Sequence, residues 1–509
     1  MLALICRSDA ALPAPNLSQK VRKLLGSYGL RDIIDWDQKP DTLPPAVPND
    51  PNGDVIFVNA EYTLGTMAVR RLTLNSVRLP SNFVVWDGSS KQTMVAARMN
   101  SAKFLQLLRA KHESRSGLST IFHELASEKS INSYTVQQFS DISSIRIGGS
   151  FAGSGIQRYY KKSANGLGAK KLRDEIRIYQ ALPLELRSHY PRLLFYEEND
   201  QTGVTMGTQY EDFPNLRDLL LNMEITVDEA VLILRQVLEF EYCQAFLSHK
   251  QPVPEGYLHD YHFHRVWRRI AISTDLDPTF GPLVTAPWLD INGERLPNIP
   301  AMLMRLESDR SVASRLQPDG VSPFIHGDLH LENILCDVEG SRFWLVDPRG
   351  YPTCDIYYDL GKLAHSYNSG YDLLHEGRHT ADFSISADGR VGSINYEFLP
   401  KDLVERYAEL NSRMDKVVHE LLERHGEDKA QIDLRIRFNE AMHFCSDMPF
   451  HINTNAKPYI AQPIYAIGAK LLSEVLVMLG IDLEECAALQ DEALARLTTM
   501  GKKPWRFEG

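Results

Sequence analysis

Residues 324–350 constrain this chain more than any other stretch. They read Phe324-Ile325-His326-Gly327-Asp328-Leu329-His330-Leu331-Glu332-Asn333-Ile334-Leu335 and, further on, Leu345-Val346-Asp347-Pro348-Arg349-Gly350. Asp328, Asn333 and Asp347 follow one another at intervals of five and fourteen residues. One apolar run ends at His326 and a second, Phe343-Trp344-Leu345-Val346, ends at Asp347, which predicts two strands delivering acidic groups to one loop-lined edge. Phosphoryl transfer needs such a set: one carboxylate to position the attacking hydroxyl, and an Asn and a second carboxylate to hold Mg²⁺ on the phosphates.

The pair HGDLHLEN and DPRG resembles the catalytic and metal loops of the aminoglycoside phosphotransferase and choline kinase family, and within it a subgroup associated with surface-glycan gene clusters. The resemblance implies an α+β, protein-kinase-like bilobal domain, with a small β-rich lobe and a helical large lobe. It further implies a transferase that uses ATP and Mg²⁺ to phosphorylate a small molecule. In protein kinases the matching loop reads H-R-D-x-x-x-x-N and the metal Asp opens D-F-G. Gly327 stands here in place of the Arg, and Pro348-Arg349 in place of the Phe. The next motif, Asp355-Ile356-Tyr357-Tyr358-Asp359-Leu360-Gly361-Lys362, follows so soon that no long activation segment fits. A small-molecule kinase is therefore favoured over a protein kinase.

On this resemblance Asp328 is the catalytic, hydroxyl-positioning carboxylate, and Asn333 and Asp347 are the metal ligands. His326 ties the catalytic loop to its neighbour, and Asp359 braces that loop. Arg349 binds an anionic group of the substrate or pairs with Asp355. His365, Ser366, Tyr371 and Asp372 either line the acceptor pocket or serve helix packing.

Upstream, Ser143–Ile147 reads as a strand, Gly148-Gly149-Ser150-Phe151-Ala152-Gly153-Ser154-Gly155 as a turn, and Ile156–Lys162 as a second strand. Such a hairpin can cover phosphates, because glycines let backbone N–H groups approach anionic oxygens closely. Gly148, Gly149, Ser150 and Gly153 are the expected nucleotide contacts. A lysine at the end of the second strand meets the phosphates, and Glu175, on a helix over residues 170–179, holds it. Strand register decides between Lys161 and Lys162; Lys162 is chosen because it fits related sequences better. Strands at 191–196 and 204–210 then lead into a hinge, with Tyr210 and Phe213 beside the adenine. A long amphipathic helix is expected over 226–248. The segment 258–269 is rich in His and aromatics, but His259, His262 and His264 do not share one helical face. A substrate-lobe element carrying Arg265 or Arg268 is preferred there over a zinc site.

The expected divisions are residues 1–135, an α/β module of uncertain role; 140–213, the small lobe; and 214–509, the large lobe. In the first, strands are expected at the N-terminus, at Val55–Ala60 and at Phe83–Trp86, and a helix at 100–110. A net charge of −11 disfavours nucleic acid. No apolar run is long enough for a membrane span. Six cysteines without paired spacing suit free thiols in a cytoplasmic protein. The expected partner is a small-molecule acceptor, a sugar or glycan precursor; a homo-oligomer or a protein partner through the N-terminal module stays open. Two alternatives remain: a pseudokinase scaffold or nucleotide-sensing subunit, and an AMP transferase on a kinase fold.

Overall fold

The computed structural model describes residues 2–7, 22, 25, 32–37, 54–59, 83–87, 93–100, 104–105, 132–134, 144–152, 155–199, 203–211, 213–277, 279–349, 354–452 and 460–500. The chain divides into two compact units. The first holds residues up to Ile147, with Tyr210–Pro214 and Asn222–Glu224; the second holds the rest.

In the first unit, strands β1 (Leu2–Arg7), β2 (Asp32–Asp37), β3 (Asp54–Asn59), β4 (Phe83–Asp87), β5 (Thr93–Asn100) and β6 (Asn132–Tyr134) form one sheet in the order β2-β1-β3-β5-β4-β6. β1 runs parallel to β2 and β3, whereas β5 is antiparallel to both β3 and β4. Val55, Ile56, Phe57 and Val58 are all buried. A continuous apolar run of this kind marks a strand covered on both faces. Phe57 packs its ring against Phe104 at 6.3 Å, and Phe104 lies on a helical turn.

A four-stranded sheet, β7-β8-β10-β9, is made of β7 (Ser144–Ala152), whose residues from Gly148 on belong to the second unit, and of β8 (Gly155–Ala164), β9 (Leu193–Asn199) and β10 (Gly203–Gln209) of that unit. Gly148, Gly149 and Ser150 lie within β7, not in the turn that sequence reasoning assigned them. Glycine tolerates extended backbone, and pairing along β8 carries the strand through it. Gly153 lies outside the described residues. Helix α1 (Gly166–Ala181) packs on this sheet through Ala169, Leu172, Ile176 and Tyr179, whose helical spacing gives one apolar face.

The remainder is mostly helical. Helix α2 (Val227–Glu239) opens on a capping box. The Thr226 hydroxyl accepts the Glu229 N–H at 3.2 Å, and the Glu229 carboxylate accepts the Thr226 N–H at 2.8 Å. The expected long helix continues, but widens to π geometry over Phe240–Phe246 and tightens to a 3₁₀ turn at Leu247–His249. Further helices are α3 (His264–Leu276), α4 (Ile299–Ser308), α5 (Ile356–Tyr367), α6 (Lys429–Phe444), α7 (Ala461–Met478) and α8 (Gln490–Met500). Every residue of α5 is buried. An all-apolar helix would be unremarkable there, yet α5 carries Asp359, Lys362, His365 and Ser366 inward. Buried polar groups need partners, so α5 must be met by a polar neighbour.

Two smaller sheets complete the unit: β12-β11-β16-β15, from β11 (Trp288–Ile291), β12 (Glu294–Pro297), β15 (His379–Ile385) and β16 (Val391–Phe398), and the hairpin β13 (Ile334–Asp337) with β14 (Arg342–Leu345). The strand expected to end at His326 does not form. Val321 and Ser322 make only isolated bridges, to Gln251 and Cys354, and turns follow. Gly327, at φ 76°, bends the chain where a strand could not.

Candidate active site

The site is built around the hairpin β13–β14. Asn333 directly precedes β13, and Asp347 follows two residues after β14. The Val346 N–H donates to the Asn333 carbonyl at 3.0 Å, so both residues stand at one end of the hairpin. Asp347 takes φ 60°, a left-handed conformation that Asp tolerates better than most residues. Its side chain keeps 37% exposure.

Lys162 comes to this carboxylate from β8. Its side chain is buried, its Nζ donates to Glu175 Oε1 of α1 at 2.7 Å, and it also contacts Asp347 Oδ1. Lys161, its half-buried neighbour, points to the opposite face of the strand. Burial pushes the Glu175 carboxyl up to about 7 against the pull of Lys162. The two carboxylates hold Lys162 fully protonated despite its burial. A cation between two acids at a half-open edge suits a polyanionic ligand.

The loop between His326 and Asn333 is fixed from several sides. The His326 Nε2 lies 2.7 Å from the Val346 carbonyl, and its Nδ1 accepts the Asp328 N–H at 3.2 Å. A carbonyl can only accept, so Nε2 carries the proton and the ring is neutral. Burial, which pushes its pKa down, agrees. The Asn333 amide nitrogen donates to the Asp328 carbonyl at 2.9 Å, which leaves its oxygen as an available acceptor. The Asp359 carboxylate takes the N–H groups of Gly327 at 2.9 Å and Leu329 at 3.3 Å. Burial pushes the Asp359 carboxyl up to about 7, offset in part by those two hydrogen bonds.

Asp328 itself is half-buried. Lys362 Nζ lies 3.4 Å and Arg349 Nη1 4.0 Å from its Oδ1. Burial opposes its ionisation, but Lys362 and Arg349 hold its carboxyl well below the usual range. Arg349 also donates to the Tyr358 hydroxyl at 3.3 Å. Asp355 instead caps α5 through the Tyr358 N–H and accepts from the Tyr257 hydroxyl at 2.9 Å.

Several expected site residues are placed differently. His365 and Ser366 are wholly buried. His365 packs on Tyr371 at 3.8 Å and lies 3.4 Å from Asp447, and Ser366 accepts the Leu331 N–H at 3.3 Å. Asp372 is buried and accepts from the Tyr407 hydroxyl at 3.1 Å. Of these, Ser366 touches the loop through Leu331, while His365 and Asp372 pack among the surrounding helices. Arg265 is likewise enclosed, donating to the Tyr358 hydroxyl at 2.7 Å between the rings of Tyr261 and Tyr358. Tyr210 and Phe213 follow β10 and fall in the first unit's set of residues. Among the described residues, the three histidines of 258–264 form no metal-ligand cluster; His262 lies 3.8 Å from Asp355, and His259 3.0 Å from Glu307.

Sequence reasoning missed three groups. Glu241, in the π-helical stretch, accepts the His326 N–H at 3.4 Å and is fully buried. Arg217 donates to Glu332 of the 327–333 loop at 2.8 Å and to Glu376 at 3.1 Å. Lys362 could have been found, because it stands three residues after Asp359 on a helix and so shares its face.

No protein-family model matches the sequence, and no curated protein matches it. Solved structures do. An aminoglycoside-3'-phosphotransferase of type VIII is 15% identical, with 58% of this chain and 92% of that one covered at a TM-score of 0.32. The aminoglycoside 2'-phosphotransferase-IIIa, in its GDP complex, is 13% identical over 66% of this chain and 93% of its own, at 0.35. A spectinomycin phosphotransferase, solved with ADP and spectinomycin, is 11% identical over 73% and 98%, at 0.30. At such identities and scores the assignment of roles rests on this chain's own side chains. Among solved structures, this chain is similar to aminoglycoside phosphotransferases.

Proposed function

We propose that the protein is an ATP- and Mg²⁺-dependent phosphotransferase that moves the γ-phosphate to a hydroxyl of a small molecule, with a sugar or glycan precursor as acceptor. The fold we propose is the bilobal kinase type over residues 140–509, with residues 1–135 as an accessory or docking module and the cytoplasm as its place. The observation that carries this reading is the convergence of Lys162, Glu175 and Asp347, drawn from a strand, a helix and a hairpin end. The acceptor class rests on the resemblance of DPRG and the α5 motif alone.

Asn333 and Asp347 fit a hard divalent cation. Both offer oxygen, Asn333 because its nitrogen is already engaged, and Asp347 because its carboxylate is part exposed. When bound, Mg²⁺ would supply charge neutralisation on the phosphate oxygens. Lys162 would exchange its contact with Asp347 for the phosphates, with Glu175 keeping it in place. Asp328 would orient the acceptor hydroxyl. The acceptor oxygen bonds to the γ-phosphorus as the bond from that phosphorus to the ADP oxygen breaks. Asp328 accepts a hydrogen bond from the hydroxyl, whose proton is released to solvent as the new bond forms.

The test is a panel of sugars, amino alcohols and aminoglycosides incubated with γ-labelled ATP and Mg²⁺. Label in one acceptor, absent with Lys162→Met, is the expected result. Label in none of them, with ADP also absent, would overturn the reading.

A further inference from the structure

Resting on that reading, we infer that Lys362 is a positioning residue for the transfer step: it holds Oδ1 of Asp328 and leaves Oδ2 as the oxygen that meets the acceptor hydroxyl. Four observations carry this.

The first is contact. Lys362 Nζ lies 3.4 Å from Asp328 Oδ1, and Arg349 Nη1 approaches the same oxygen at 4.0 Å. Oδ1 is buried, whereas the Asp328 side chain as a whole keeps 29% exposure. The two cations thus stand beside the enclosed oxygen as charges, without a hydrogen bond to it, and the exposure of the carboxylate is left to the other.

The second is rigidity. Lys362 leaves the middle of α5, and its ammonium sits over the Tyr371 ring at 5.4 Å. At Gly361 the helix touches α6 so closely that a Cβ would lie 2.6 Å from the Asn439 Cβ and 2.7 Å from the Glu440 nitrogen. The stem of Lys362 therefore starts from a fixed backbone. Side chains held this way position a partner better than loop residues do.

The third is coupling within the helix. Asp359, three residues earlier, holds the backbone N–H groups of Gly327 and Leu329, on either side of Asp328. One face of α5 therefore fixes both the main chain and the carboxylate of the same residue.

The fourth is energetic. Replacing a buried ion pair by apolar groups is often neutral or stabilising, so such a pair is poor evidence of a stability role. Lys362 keeps 8% side-chain exposure, yet its ammonium faces the carboxylate that would orient the acceptor hydroxyl.

The experiment uses the full chain, labelled ATP with Mg²⁺, and release of γ-phosphate to water, so that no acceptor need be known. Wild type, Asp328→Asn, Lys362→Met and Lys362→Arg are compared for kcat and for KM of ATP. Lys362→Met is expected to lower kcat about 100-fold, in the range that a well-placed proton-transfer group contributes, with KM within two-fold. Lys362→Arg is expected to recover at least a tenth of the wild-type kcat. If Lys362→Met fails to fold, Lys362→Gln replaces it; it keeps a donor for Asp328 without the charge, and the same loss is expected. An unchanged kcat in Lys362→Met, with Asp328→Asn inactive, would overturn this inference alone. So would a loss of kcat matched by an equal loss of ATP affinity, which a merely structural role predicts. A wild-type chain that releases no γ-phosphate at all would overturn the proposed function, and this inference with it.

Discussion

Removing the Asp359 carboxylate should loosen the loop of residues 327–333 and cost measurable stability. In the structure it accepts two buried N–H groups, those of Gly327 and Leu329. A hydrogen bond to a charged group contributes about 1.5–3 kcal/mol, so Asp359→Ala forfeits about 3–6 kcal/mol. Part returns, because burial opposes the ionisation of Asp359 and that cost disappears with the carboxylate, so the net loss is about 2–4 kcal/mol. That corresponds to a fall in melting temperature on the order of 5 °C. Asp359→Asn keeps one acceptor and presents a donor to the other N–H, so its loss should be of similar size but no larger. The assay is thermal unfolding together with kcat for γ-phosphate release. Both variants should lose kcat while still binding ATP, because Asp328 is held by the loop and Lys162 is not. An Asp359→Ala protein as stable and as active as wild type would refute the assignment of Asp359 as the brace.

Three further outcomes are expected. Lys162→Met should abolish transfer, and Lys161→Met should leave it within a few-fold, since only Lys162 reaches Glu175 and Asp347; equal loss in a kinetic assay of both would contradict the strand register. Gly361→Ala should destabilise by about 1–3 kcal/mol in urea unfolding, because the added methyl meets α6; a gain of about 1 kcal/mol, as helix propensity alone gives, would contradict this. The junction of α3, α4 and α8 should be pH-dependent. Burial opposes ionisation of Glu307, but hydrogen bonds from His259, Arg496 and Trp267 hold it down at about 2. Its contribution is present above the unfolded value near 4.5 and lost as pH falls toward 2. The same hydrogen bond raises His259, whose contribution is full below about 6.5 and lost as pH rises through its folded value. Melting of wild type against Glu307→Gln should therefore differ most between about pH 4.5 and 6.5; a difference that does not vary with pH would refute the linkage.

The legible parts of this chain were those with short-range signals. Whereas the choice of Lys162 over Lys161 came from resemblance to related sequences and not from the alternation of β8, the spacing of Asp328, Asn333 and Asp347 and the apolar face of α1 that presents Glu175 are written in local pattern. The N-terminal strands β1, β3 and β4 were readable for the same reason. What was not readable depended on distant partners. Glu241 looks like any polar residue of an amphipathic helix until the π turn at Phe240–Phe246 carries it to His326. Arg217 looks like an exposed helix-start residue until Glu332 and Glu376 enclose it. The apolar run ending at His326 mimics a strand because the loop it begins is buried. For His365, Ser366 and Asp372 the sequence left pocket lining and helix packing open, and their burial among the surrounding helices agrees with packing.

The most direct test of the central claim is which phosphate of ATP moves. Wild type, Asp328→Asn and Asp347→Ala would be given α-labelled and γ-labelled ATP with Mg²⁺, and the label followed into acceptor or water. The account predicts transfer of γ-label by wild type, no transfer of α-label, and loss of transfer in both variants. Transfer of α-label, or γ-label transfer that survives both substitutions, would contradict it.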